Sequence, residues 1–402
     1  MEPIVIVGGG PVGLTAAELL SLEGIPVVVI EAGPSPSKEW RASTFHAGTL
    51  ELLEFTGIVE EMMEHGIIAE KVQYRDRKTG LYAEFDFSQL KDETKYPFRL
   101  QCPQSTYVKL LNERLSKREN VEILYSHKLL DFTQDDQSVT LNIETPEGNR
   151  QIKASYLLGA DGARSTVRKK LGLSFEGYTL EERFLLIGTP VSFEKYIKDI
   201  SYVNYIADPE EFLFILRVPE AWRFLYPVPP HITDEEALNP SSIQGKIQTA
   251  LNTTDTFPIV EQMIYKIHQR VAGKFYENRV IVMGDAAHIN SPMGGIGLNS
   301  GIHDAVDLSQ RLVRILKGED ATSELDTYSD TRRHVALEYV RQITEKNTKV
   351  MTEKDENERI RLQQELTAVS TNPEKAKEWM LRSAMITSVR EQGIGRLPAK
   401  QH

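Results

Sequence analysis

The chain has one cysteine, Cys102, among its 402 residues. A disulfide framework, a multi-cysteine zinc site and an iron–sulfur cluster each need several, so none is expected. No run approaches the roughly 18 consecutive apolar residues of a membrane span. The start, Met1-Glu2-Pro3-Ile4-Val5-Ile6-Val7, lacks the basic flank and small-residue cleavage site of a signal peptide. Positive charge is in deficit: 47 Lys and Arg against 58 Asp and Glu leave a net charge of −11. That balance argues against nucleic acid or a membrane surface as a partner. Repeats of solenoid period and low-complexity tracts are missing too. His288 has no acid or histidine near it at ligand spacing, so no metal site is expected. What is present is the composition of a folded protein of two or three domains, 40% hydrophobic and 26% charged. The cytoplasm is the expected location.

The first strong pattern is the β-branched run Ile4 to Val7, which reads as a strand buried on both faces. Gly8-Gly9-Gly10-Pro11-Val12-Gly13 follows at once, then apolar residues at helical spacing up to Gly24, and a second buried strand from Pro26 to Ile30 ending at Glu31. This is a βαβ unit and implies a parallel sheet. Residues 49–55 predict a helix, Val72 to Phe87 alternate about Gly80 as strands, and Gln104 to Leu115 return to helical spacing. Val121 to Leu158 read as a β-meander. Phe184 to Pro229 are strand-rich and are expected to form a separate sheet. Arg279 to Asp285 predict one more buried strand, followed by a Gly-rich loop and a helix. After Tyr328 the chain is charged and mostly helical.

Gly8, Gly10 and Gly13 fit G-x-G-x-x-G between a strand and a helix. The first glycine allows the turn, the second lets backbone approach a pyrophosphate, and the third lets helix and strand pack closely. Pro11 and Val12 open the helix whose N-terminus offers free N–H groups. Glu31 ends the second strand, where an acid accepts hydrogen bonds from a ribose diol. The unit is expected to bind a dinucleotide; the competing interpretation is a tight turn that binds nothing. The fingerprint does not separate FAD from NAD.

Two later segments do. Leu157-Leu158-Gly159-Ala160-Asp161-Gly162 ends a strand in Asp-Gly before a basic helix start. Val282-Met283-Gly284-Asp285-Ala286-Ala287-His288 ends one in Gly-Asp and runs into Ser291-Pro292-Met293-Gly294-Gly295-Ile296-Gly297-Leu298-Asn299-Ser300-Gly301. In this order, the three motifs resemble the single-component FAD-dependent aromatic hydroxylases, the para-hydroxybenzoate hydroxylase family. The resemblance runs from residue 1 to about 320. It implies an α/β fold: a Rossmann-like FAD-binding domain built from 1–71, 98–178 and 270–330, a mainly antiparallel β-sheet substrate domain from 72–97 and 179–269, and a helical C-terminus over 331–402. It also implies that Gly8, Gly10, Pro11, Val12, Gly13 and Glu31 hold the adenosine diphosphate half of FAD. Arg41 lies along the cofactor, Gln104 and Asp285 hold the ribityl chain, and Asp161 and Gly162 serve FAD and nicotinamide alike. Pro292, Gly295, Gly297, Leu298 and Asn299 border the flavin ring. A second Rossmann fingerprint is missing, so NAD(P)H is expected as a transient reductant. The implied reaction is hydroxylation of an aromatic or heteroaromatic ring with O2 through a flavin C4a-hydroperoxide. A flavin oxidase releasing hydrogen peroxide and a non-catalytic FAD binder are the alternatives.

On the substrate side the sequence offers His46, Arg223 and Tyr226 as catalytic candidates. His46 could assist a phenol proton or cap a helix, and Arg223 could face the flavin or be a solvated strand arginine. Tyr82, Tyr202 and Tyr205 are candidates for touching substrate, although strand tyrosines mostly pack. The sequence lacks the W-x-W-x-I-P segment of flavin halogenases, and too few residues follow position 330 for the extra domain of the larger phenol hydroxylases. Oligomeric state stays open, a homodimer being one option.

Overall fold

A computed structural model describes residues 1–38, 42–340 and 348–394. The run Ile4–Val7 has no exposed side of its own because it lies at the centre of a six-stranded sheet. Across that sheet the order is Tyr276–Glu277, Val280–Val282, Tyr156–Gly159, Ile4–Val7, Val27–Glu31, Val121–Tyr125. All neighbours are parallel except the first pair. Covering both faces of a parallel sheet requires continuous apolar strands, as Ile4–Val7 and Val280–Val282 are. The helix Pro11–Leu22 starts with proline at its first position, where the missing N–H is not needed, and packs against the helix Gly297–Leu316.

The expected meander is smaller than its sequence suggested. Its first and last strands, Val121–Tyr125 and Tyr156–Gly159, belong to the parallel sheet; only Lys128–Gln134, Val139–Thr145 and Gly148–Ala154 form the three-stranded antiparallel excursion. Alternation and turn residues mark strands but not the sheet in which they pair.

A second, eight-stranded sheet runs in the order His288–Ile289, Glu261–Ala272, Phe175–Thr189, Ala221–Val228, Leu213–Val218, Val203–Ala207, Lys71–Asp76, Gly80–Asp86. Its pairs are antiparallel apart from Val203–Ala207 with Lys71–Asp76. The two faces divide by residue parity. Leu185, Ile187, Trp222, Phe224 and Tyr226 bury against the helix Pro240–Leu251 in a core of their own. Leu186, Leu225 and Met263, directly opposite one another across three strands, point the other way.

The C-terminal helices Glu356–Thr371 and Pro373–Ser383 dock at the far end of this sheet, and Ile386–Gln392 lies against the helix Ala47–Leu53. Trp379 stacks on Phe85 with ring centroids 3.7 Å apart, and Thr367 donates to the Tyr82 carbonyl at 2.9 Å. No helix of the described residues is long and apolar enough to cross a membrane.

Candidate active site

Each sequence motif follows the C-terminal end of a parallel strand. Gly8–Gly13 follow Ile4–Val7, Glu31 ends Val27–Glu31, Asp161–Gly162 follow Tyr156–Gly159, and Asp285 follows Val280–Val282. The chain leaves Ile4–Val7 for a neighbour on one side and later returns to its other side, so the loops part there and open a crevice. The result is a cavity of about 990 Å³ between these loops and the large sheet.

The glycines have two distinct tasks. A Cβ on Gly8, which sits at φ +115°, would overlap the Ala160 carbonyl, and one on Gly13 would overlap the Gly8 carbonyl. These two glycines let adjacent backbones touch. Gly10 borders the cavity, and a Cβ there would meet nothing within 4 Å. It leaves an open cradle at the start of a helix whose first-turn N–H groups lack intrahelical acceptors. Pro11 and Val12 border the same space, as do Gln104, Gly162, Asp285, Pro292, Gly295, Gly297 and Leu298. Glu31 accepts the Gly9 and Gly33 N–H groups, both at 2.7 Å. Its carboxylate keeps acceptor capacity for a diol. Two helix starts, a glycine cradle and an exposed Asp285 fit an elongated diphosphate dinucleotide such as FAD.

Several candidates have tasks that the sequence did not show. Asp161 is turned onto its own helix: Oδ2 accepts the Thr166 and Val167 N–H groups at 2.6 and 3.1 Å, and Oδ1 accepts the Ser165 hydroxyl at 2.5 Å. What this segment offers the cavity is the turn that Asp161 holds. Asn299 is fully buried, and its side chain is a clamp rather than a lining group. It donates to the Thr44 and Gly295 carbonyls at 2.8 and 2.7 Å and accepts the His46 N–H at 2.9 Å. Arg41 lies outside the described residues.

His46 does not reach the cavity. Its Nε2 donates to the Gly294 carbonyl at 2.9 Å, and its side chain is wholly buried. Burial, then the nearby Arg99 charge, holds its pKa well below the ordinary histidine value. The structure thus makes it a support beneath the Gly294–Gly295 turn, not a proton acceptor facing substrate. Tyr226 is corrected as well. It lies three residues after Arg223, on the opposite face of the strand, and donates to the Lys246 carbonyl at 3.0 Å in the second core. Tyr202 packs beside Trp222, and Tyr82 beside Tyr74, neither on the cavity wall. Tyr205 shares the cavity-side face but stacks on Tyr74 at 4.9 Å, beyond the lining residues.

Arg223 does line the cavity. It is buried, and its Nε lies 3.0 Å from Glu261 Oε2. Burial raises the Glu261 pKa, and the guanidinium works against that rise. Around this ion pair the wall is apolar: Leu186, Leu216, Leu225 and Met263.

Two groupings escaped sequence reasoning. Arg168 stacks over Phe175 at 3.7 Å and donates to the Ala286 and Ala163 carbonyls, tying the Asp-Gly turn to the Gly-Asp turn. Asp304 is fully buried; Oδ2 accepts His288 Nε2 at 2.7 Å and the Gly284 N–H at 2.9 Å, and Oδ1 accepts Arg332 Nε at 2.6 Å.

The buried histidines give an acid-sensitivity prediction. Burial takes His303 down to about 3 and His46 below its ordinary 6.5. Below pH 6.5 the unfolded chain binds protons that the folded chain refuses, so stability falls as pH drops. The slope is roughly 1.4 kcal/mol per pH unit per histidine until the folded pKa is reached. Urea unfolding at pH 7.5 and 5.5 should show a contribution from His303 of about 1.4 kcal/mol, with His46 acting in the same direction. His303→Gln should remove that contribution; an unchanged difference would show that His303 is already protonated when folded.

An FAD binding domain family matches residues 1–343. Among curated proteins, para-nitrophenol 4-monooxygenase of Pseudomonas sp. (strain WBC-3) is 34% identical over 365 residues, covering 90% of each chain. A 6-hydroxy-3-succinoylpyridine 3-monooxygenase of Pseudomonas putida is 30% identical over 84% of this chain and 86% of that one. The crystal structure of a p-nitrophenol 4-monooxygenase from Pseudomonas putida superposes with a TM-score of 0.91 at 31% identity over 99% of both chains.

Proposed function

The chain belongs to the FAD-binding-domain family of class A aromatic hydroxylases, and on that premise we propose that its cavity holds FAD along the glycine wall and a hydroxylated ring against the large sheet. It is an FAD-dependent monooxygenase of aromatic rings. The relatives above are named for a nitrophenol and a hydroxypyridine, both rings with a hydroxyl; we extend that class to this chain. When bound, FAD takes two electrons from NAD(P)H and passes them to O2, so that one oxygen atom enters the ring and the other leaves as water.

The chain's own groups bind and orient. The Gly10 cradle and the helix start at Pro11 receive the diphosphate, with Glu31 on the adenosine ribose. Gln104 and Asp285 take the ribityl chain. The N-terminus of Gly297–Leu316 brings a partial positive charge to the flavin end of the cavity, where negative charge develops on reduction. Leu186, Leu225 and Met263 keep water off the reacting ring. Arg223, fixed by Glu261, sets the charge at that boundary. The cytoplasm, which supplies NAD(P)H, is the assigned compartment.

The observation that carries this reading is one cavity with a backbone N–H wall on one side and a leucine wall on the other. The purified protein is expected to be yellow and to release FAD. With phenols or hydroxypyridines and 18O2, one heavy oxygen should appear in the product, and none from labelled water. Quantitative hydrogen peroxide with no product of added mass, for every ring tried, would instead favour an oxidase.

A further inference from the structure

Beside Leu186, Leu225 and Met263 the large sheet carries one ion pair, Arg223 with Glu261, and a missing side chain makes it possible. The two residues stand on different strands, and both are cross-strand partners of Gly188 on the strand between them. Adjacent strands lie about 4.8 Å apart, so the two backbones are separated by nearly twice that. A Cβ on Gly188 would sit 3.0 Å from the Glu261 Cβ. With no side chain there, the two long ones meet over the glycine: Nε lies 3.0 Å from Oε2, and Nη2 donates to Oε1 at 3.4 Å. Their side chains are 1% and 12% exposed.

Arg223 borders the cavity, and Glu261 stands behind it without bordering it. The other cations at the cavity are placed differently. Arg183 and Lys266 lie opposite one another, in step with Leu185 and Ile264, whose side chains belong to the second core; His268 has the same parity as Lys266. Arg183 pairs with Asp234, and His268 Nδ1 shares a hydrogen bond of 2.8 Å with the Thr179 hydroxyl. Lys266 is exposed, as is Arg164 on the glycine-loop side. Among the described residues, then, the one cation at the leucine wall is Arg223, and its charge is already matched by a carboxylate. Glu220, an exposed acid, adds negative charge nearby. A ring carboxylate brought to this wall would give up its water and meet no uncompensated cation. Burying a charge without a partner is strongly unfavourable, and a neutral group of the same shape loses far less.

We propose that Glu261 is a positioning residue that determines specificity: by neutralising Arg223 across Gly188 it leaves the leucine wall without a free positive charge, so that the enzyme takes rings with uncharged substituents and rejects ring carboxylates. This rests on the cavity being the ring-hydroxylating site. Glu261 acts through Arg223 and touches no substrate. The choice concerns the substituent alone, since an acid and its amide carry the same ring and the same hydroxyl.

The test measures binding of 4-hydroxybenzoate, 3-hydroxybenzoate and 6-hydroxynicotinate, each against its amide, to FAD-loaded protein by the flavin absorbance change. The amides are expected to bind about tenfold to hundredfold more tightly than the acids. Glu261→Gln keeps the side-chain length and a carbonyl for Arg223 but removes the compensating charge. The preference for amide over acid should then fall at least about tenfold, through tighter binding of the acids. Arg223→Gln combined with Glu261→Gln removes both charges and should restore the preference. A merely structural role for Glu261 would weaken acid and amide alike. The proposal is overturned if no amide of the panel binds more tightly than its acid, or if Glu261→Gln leaves the preference where it was. Should Glu261→Gln fail to fold, the unaltered protein and the double variant decide: acids bound as tightly as amides by the first, or a lost preference in the second, would refute it. Incorporation of 18O into the bound amides is scored separately. Peroxide alone, with the preference intact, would remove the hydroxylase reading and leave the charge rule standing.

Discussion

Asp304→Asn is expected to destabilise the protein by about 3–5 kcal/mol and to weaken FAD binding with it. The carboxylate is fully buried between Arg332, His288 and the Gly284 N–H, and the amide would leave the Arg332 guanidinium without its counter-charge. Arg332 also donates to Gln392 and to Ser300, so the loss reaches the C-terminal helix and the start of Gly297–Leu316. The cofactor effect follows from the Gly284 bond, which fixes the turn presenting Asp285 to the cavity. Asp307→Asn is the control. Burial raises the Asp307 pKa, so its charge already stabilises less, and a smaller change is expected. Thermal unfolding and FAD titration of both variants decide it; equal effects would remove Asp304 from its special position. The pH dependence has a definite sign. Burial pushes the Asp304 pKa up, but the charges and hydrogen bonds of His288 and Arg332 together outweigh it and hold it at about 2. Its contribution is present above the unfolded value and lost as pH falls from about 4 to 2.

The second large effect separates two glycines of one motif. Gly8→Ala forces a side chain into φ +115° and into the Ala160 carbonyl, so it should lower stability by roughly 3 kcal/mol or more and yield little yellow protein. Gly10→Ala meets no protein atom within 4 Å; its melting temperature should barely move, while FAD affinity drops at least about tenfold because the methyl occupies the cradle. If Gly10→Ala kept full FAD affinity, the diphosphate would have to lie elsewhere.

The phosphate-binding start, the Asp-Gly and Gly-Asp turns and the division into two sheets were legible because each depends on local chemistry: β-branched runs, glycines at fixed spacing, acids at strand ends. What failed was direction. Arg223 and Tyr226 stand three apart in a strand, and a period of two sends them to opposite faces, so one strand cannot present both to the cavity. His46 was read on the substrate side and Asn299 at the flavin ring, and their mutual hydrogen bond joins residues 253 apart. No local pattern states such a partner. Glu261 was invisible for the same reason: an acid opening the strand Glu261–Ala272 looks solvated until Arg223 reaches it across Gly188.

The parallel sheet also sets an order of events during synthesis. Ile4–Val7 leaves the ribosome early, but its sheet lacks Val280–Val282 until some 270 residues later, roughly 15–55 s at ordinary elongation rates. Through that interval the nascent βαβ unit has an unpaired apolar edge, beyond Tyr156–Gly159. Phe85 waits longer still, for Trp379. Chaperone dependence should therefore be greatest for the unfinished chain, and overexpression at low temperature, which slows aggregation of exposed edges, should raise the soluble yield.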